Sequence, residues 1–194
     1  MIRLLLLALL VVGAFALVLL AEKRRRERLA HVRAAFLVSI PAPPEHGPVL
    51  KDVALRGGAV RMRVPRQWAE EYPDEDRASF HDPGNLARVL RLSATDVASA
   101  PDGPRAFLQA RAGGQATTID ELPEGCLLLR ALDASREDGR DVVVFRWLSA
   151  VPLAPARVRL ASFSFSVPEK LALDPLTRDV VALLDHEIRS ARLS

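Results

Sequence analysis

A single cysteine, Cys126, in a chain of 194 residues leaves nothing to close an internal disulfide and no cysteine set to hold zinc. One thiol suits either side of a membrane, so it assigns no compartment. The spacings that announce metal or covalent chemistry are missing as well. No H-E-x-x-H, D-x-D-x-D-G or H-x-H run occurs. Ser162, Ser164 and Ser166 stand outside any G-x-S-x-G context. Gly57-Gly58 and Gly113-Gly114 are isolated pairs, not a phosphate-cradling loop. No internal repeat is present.

Cationic charge is also missing from most of the chain, despite a formal net charge of +3. Arg3, Lys23, Arg24, Arg25, Arg26, Arg28 and Arg33 are seven of the 27 Lys and Arg; Glu22 and Glu27 are two of the 24 Asp and Glu. Taking both groups away leaves the rest near −2. A nucleic-acid-binding domain carries its own cationic face, so no nucleic-acid partner is expected.

What the sequence does have is one long apolar run, Leu4 to Ala21, without a charge; 13 of its 18 residues are Leu, Val or Phe. As a helix it reaches roughly 27 Å, close to a bilayer's hydrocarbon core of about 30 Å. Insertion of those apolar side chains is worth roughly −4 to −8 kcal/mol. The run exceeds the 7–15 residues usual in a cleaved signal, and no A-x-A-like site ends it. Residues 1–21 therefore read as a retained transmembrane anchor.

The cations Lys23, Arg24, Arg25, Arg26 and Arg28 follow at once. Such flanks prefer the cytoplasm, which puts the N-terminus outside and the bulk of the chain on the cytoplasmic side of a cell membrane. The terminal amine and Arg3 argue for the opposite. Residues 22–40 read as a basic juxtamembrane helix, with Leu29, Val32, Phe36, Leu37 and Ile40 on one stripe. That stripe suits an anionic lipid surface or a homodimer seam; the plainer reading is a flank that fixes orientation. Four prolines within 41–48 end the helix and predict an extended linker.

Residues 49–194 suffice for one domain with its own core. Val53–Arg56 and Ala59–Val64 alternate about Gly57-Gly58, a hairpin pattern. Arg66–Tyr72 reads as a short helix holding Trp68, and Asp74–Asp76 as a charged turn. Strands follow at Ala78–His81 and Arg88–Asp96. A short helix between Pro101–Pro104 and Gly113-Gly114 carries Phe107, Leu108 and Ala112.

Cys126–Ala134 and Asp141–Ser149 flank Glu137–Gly139, and both strands are apolar on both faces. Strands of that kind need a layer above and a layer below. Arg157–Val167 alternates Phe and Val with Ser in its outer half, which exposes one face there. Asp174-Pro175 opens a long helix to about Leu193, with Leu176, Val180, Leu184 and Ile188 inward. The fold class is α+β: an α/β/α sandwich with a central antiparallel sheet, a long C-terminal helix and one N-terminal transmembrane helix.

Val64-Pro65 followed by Trp68 and an acidic turn, Phe80, Val89-Leu90-Arg91-Leu92-Ser93, Phe145-Arg146-Trp147, Phe163-Ser164-Phe165-Ser166 and a closing amphipathic helix come in a telling order. Over about residues 50–193 this order resembles the Mog/PsbP-like superfamily. The resemblance implies a compact, non-catalytic α/β/α module, with members that bind partner proteins, photosystem subunits or small ligands. It supplies no catalytic signature to carry over.

The densest polar cluster is Glu70, Glu71, Asp74, Glu75, Asp76, His81 and Asp82. Carboxylates with one imidazole suit a hard cation or an acid/base pair, which makes Glu70, Glu71, His81 and Asp82 the candidate metal ligands. A solvated turn explains the same residues. His186 is expected to face solvent; His31 lies in the basic flank and His46 in the proline linker, neither with a partner in sequence. Trp68 and Trp147 read as core, and Cys126 as a buried, inert thiol. The expected function is a membrane-tethered, non-enzymatic binding or assembly module for an unidentified protein or small ligand, without a cofactor or catalytic residue. The alternatives are a metal-assisted hydrolase using residues 70–82 and a structural membrane protein dimerising through residues 22–40.

Overall fold

The computed structural model describes residues 2–38, 40–98, 103–112, 118–137, 139–154 and 157–194, with side chains from Phe15 onward. Pro101, Asp102, Gly113, Gly114 and Asp138, all parts of expected turns, lie outside the described residues.

The described residues are α+β, with a large antiparallel sheet and three α-helices. Helix α1 (Ile2–Val38) leads into strands β1 (Leu50–Leu55), β2 (Val60–Pro65), β3 (Ala69–Asp74), β4 (Arg77–His81) and β5 (Val89–Ala98). Helix α2 (Gly103–Arg111) precedes β6 (Thr118–Glu121), β7 (Leu127–Glu137), β8 (Arg140–Ala154) and β9 (Arg157–Pro168). Helix α3 (Pro175–Arg189) and strand β10 (Arg192–Leu193) close the chain. Seven strands form one sheet in the order β3-β4-β5-β9-β8-β7-β6; a second has the order β1-β2-β10. Every pairing is antiparallel.

Alternation divides the large sheet into two faces. On the first, Leu90, Leu92, Leu128, Leu132, Phe145, Trp147, Phe163 and Phe165 join one core with Val60, Met62 and Val64 of the small sheet and Val181, Leu184 and Ile188 of α3. Trp68 stacks on Phe165 with ring centroids 6.0 Å apart. On the second face a smaller core gathers Leu129, Ala131, Ala150, Val158 and Leu160 under Leu108 of α2. Beyond α2 that face is polar: Arg91 and Glu137 both bond Ser166, and Arg146 meets Asp133 at 3.0 Å.

Several elements differ from the sequence reading. Residues 69–74 are strand, not helix, because the acidic turn folds them back onto β4 and sets Tyr72 edge-on to Phe80. Helix α3 stops at Arg189, since Arg192 and Leu193 leave it to pair with β2. Asp174 stands at its N-cap position without a capping bond; its carboxylate meets Arg88 at 3.1 Å instead. Its inward stripe is Thr177, Val181, Leu184 and Ile188, while Leu176 is 55% exposed. The Gly57-Gly58 turn forms as expected, with φ of +62° and +95° that a β-carbon would strain.

The core also extends upstream of residue 49. Val32, Phe36 and Leu37 of α1 are buried in it, with Leu29 and Ile40 packed against its edge. Among the described residues no helix is long and apolar enough to cross a membrane. The apolar run of Leu4–Ala21 falls mostly on residues 1–14, whose side chains lie outside the described set.

Candidate functional site

An apolar concavity lies between residues of α1 and the α3 region over the large sheet. Their stripes leave a cleft of about 420 Å³ floored by Phe145. Val32, Ala35 and Phe36 form one wall; Ala172, Leu173 and Val181 form the other; Ile40 and Pro41 close an end. The two cationic-capable groups at its lip are His31 and Arg178. His31 Nδ1 lies 2.9 Å from the Glu27 carbonyl, one helical turn back, so that nitrogen donates and Nε2 faces outward. A hollow of this volume, apolar with few polar groups, is within the range of small-ligand pockets.

The wall supplied by α1 is clamped at both ends. At its entry, Arg25 bonds Glu169 at 2.8 Å and meets Asp141 at 3.3 Å, with Arg28 3.9 Å from Glu169. The Glu169 carboxylate holds the Arg25 guanidinium above its ordinary pKa. Midway, Arg33 donates to the Leu132 carbonyl at 3.2 Å. At its exit, Arg130 of β7 donates to the carbonyls of Phe36 (3.2 Å) and Leu37 (3.4 Å). Those carbonyls belong to the last turn and have no partner within the helix, and a cation there also complements the helix dipole.

Arg130 is not left as a lone buried charge. Asp120 of β6 lies 3.4 Å away and also pairs with Arg189 of α3. Arg189 bonds Asp185 at 2.7 Å, and Asp185 accepts from the buried Trp147 indole at 2.8 Å. A continuous polar chain thus ties the end of α1 to β6, β7, β8 and α3. Burial of a charge is tolerated when each member is paired in this way.

The acidic residues singled out in the sequence separate. Glu70 pairs with Lys51 at 3.1 Å, on the face of β3 that also carries Tyr72. Glu71 is on the opposite face, 3.9 Å from His81 Nε2. Asp82 accepts the Gly84 amide in the β4–β5 loop and meets Arg88 at 3.5 Å. Among the described residues no three His, Cys, Asp or Glu side chains converge as a metal site.

Among the cations after the apolar run, Arg25 and Arg28 pair with the domain, Arg26 pairs with Glu22 at 3.2 Å, and Lys23 and Arg24 are exposed. His186 is exposed. Cys126 is buried, and that burial pushes its thiol up to about 11, so it is neutral at pH 7.

The clamp residues Arg130, Asp120 and Asp185 escaped the sequence reading. One signal was available: Arg130 is the lone charge inside Leu127–Leu132, a run otherwise apolar on both faces. A cation there needs a buried partner.

No protein-family model and no curated protein matches this chain. Solved structures do resemble it. A crystal structure from Bacteroides thetaiotaomicron VPI-5482 superimposes with a TM-score of 0.48 at 19% identity, covering 68% of this chain and 46% of that one. This chain therefore spans less than half of that protein. LpqN of Mycobacterium tuberculosis, described as involved in cell envelope biogenesis, gives 0.47 at 11% identity over 78% of this chain and 88% of its own. A point mutant of Mog1 gives 0.43 at 13% identity over 75% and 96%. Likeness at this level carries no residue role, ligand or activity across.

Proposed function

We propose that this chain is a single-pass, membrane-tethered binding module of the Mog/PsbP-like α/β/α kind, without catalytic activity of its own. Leu4–Ala21 spans the bilayer, and the basic flank favours a cytoplasmic domain. The observation that carries the reading is the apolar cleft between α1 and α3. The tether itself builds one wall of it, so membrane attachment and binding share one element. The cleft brings a guanidinium and an imidazole to its lip and no nucleophile, which suits an aliphatic chain ending in an anionic or polar group.

Thermal unfolding of the full chain in lipid nanodiscs, with octanoate as the probe, tests this. Ligand at about a hundredfold excess over Kd stabilises by roughly 2.7 kcal/mol, or about 5 °C or more in Tm for a domain of this size. Ala35→Trp fills the cleft and removes the shift. Absence of any shift in the unaltered chain overturns the reading.

A further inference from the structure

The end of the domain nearest the apolar run has a composition of its own. Arg28, Asn85, Arg140, Asp141, Glu169 and Lys170 line one depression of about 630 Å³. It lies where α1, the β4–β5 loop, the start of β8 and the turn after β9 meet. The two carboxylates are already engaged: Glu169 by Arg25 and Arg28, Asp141 by Arg25. Arg140 and Lys170 have no carboxylate partner among the described residues. Beside them the β4–β5 loop holds out Leu86, 71% exposed.

The height of this edge above the bilayer follows from the helix. Arg25 is four residues past Ala21, and Arg28 seven, so they stand about 6 and 10 Å along the axis from the end of the apolar run. The headgroup layer is roughly 5–8 Å deep on each side of the hydrocarbon core. Because Arg25 reaches both Asp141 and Glu169, those residues lie within one arginine side chain's length of it. With the apolar run spanning the bilayer, that edge would stand at or just beyond the headgroup layer, within reach of Arg and Lys side chains.

Resting on the tether proposed above, we infer that this edge is a lipid-contact surface. Arg28, Arg140 and Lys170 bind the phosphates of anionic phospholipids, and Leu86 enters the acyl boundary. The occupant is argued from charge complementarity and from continuity with the spanning helix. Arg and Lys stems bury along apolar surface while their charged heads reach the phosphates. Contact here fixes the tilt of the domain, and with it the direction in which the α1–α3 cleft opens.

The test uses the full chain with Leu86→Trp in nanodiscs of brominated phosphatidylcholine containing phosphatidylglycerol. The native Trp68 and Trp147 are buried in the domain core and serve as the background. The inference expects emission quenched beyond that of the unaltered chain. It also expects that added quenching to be lost when Arg140→Glu and Lys170→Glu are introduced, or when phosphatidylglycerol is omitted. Quenching no greater than background, in protein that stays with the membrane after alkaline washing, overturns the inference and leaves the tether standing. Release of the protein by that wash overturns the tether, and the inference falls with it.

Discussion

If α1 belongs to the domain core, deleting a side chain upstream of residue 40 destabilises a domain whose other elements all lie downstream. Phe36 is the sharpest probe. It is 3% exposed, and its ring meets Phe145 at 5.1 Å and Trp147 at 5.2 Å, both edge to face. Truncating a core Phe costs about 3–5 kcal/mol, including the cavity left behind. The two edge-on ring contacts, at about 0.5–1.5 kcal/mol each, are part of that sum. At a slope of roughly 2 kcal/mol/M, Phe36→Ala moves the urea midpoint down by about 1.5 M or more. Val38, two residues on and 82% exposed, is the control: Val38→Ala stays within about 0.5 kcal/mol. Urea unfolding of the full chain in micelles, followed by tryptophan emission, reads both. Equal midpoints for the two variants would refute the argument, because they would make this part of α1 a solvated flank.

Further expectations follow from the clamp, the charges and the thiol. Arg130→Met removes both donors to the α1 exit and orphans the Phe36 and Leu37 carbonyls, for a loss of about 1–3 kcal/mol in the same unfolding assay. Asp96 is held below the usual carboxylate range by its paired bonds to Arg159, aided by Arg56 and Arg157. Its folded pKa is depressed, so its stabilisation is present above the unfolded value of about 4 and is lost as pH falls through the folded one. The stability gap between the unaltered chain and Asp96→Asn should therefore be constant near neutrality and shrink below about pH 4 in acid-unfolding curves; a gap that widens there contradicts the assignment. Cys126, neutral at pH 7, should resist a thiol reagent in the native chain and react promptly in urea.

The elements legible in the sequence were those whose pattern is local. Val53–Val64 alternates about a Gly-Gly turn, and the strands around Glu137–Gly139 are apolar on both faces, so hairpin and layering could both be read. Asp174-Pro175 marked the start of α3, although the Asp serves Arg88 and not the helix. Residues 66–72 misled because Trp-Ala-Glu-Glu-Tyr satisfies helical preference, and pairing with β4 overrode it. Strands β6 and β10, of four and two residues, are too short to show a period.

The site was hidden for a different reason. The Leu29–Ile40 stripe was visible, but its partner was not. What it packs on is the far strand pair β7–β8 and helix α3, and Arg25 bonds a residue 144 positions away. The position of Arg25 and Arg28 beside the apolar run could be read from local charge patterning, whereas their ion pairs with Glu169 and Asp141 are made only by folding. The carboxylates at 70–82 showed the converse: neighbours in sequence that a β-strand sends to opposite faces.

The claim on which the rest depends is that the helix leaving the apolar run is a structural part of the domain it carries. Hydrogen exchange on the full chain in nanodiscs tests it directly, read over residues 29–38, 41–48 and β8. The account predicts that amides of 29–38 exchange as slowly as those of β8, while 41–48, which holds no helix or strand, exchanges fast. Fast exchange through both 29–38 and 41–48, with β8 still protected, would contradict it.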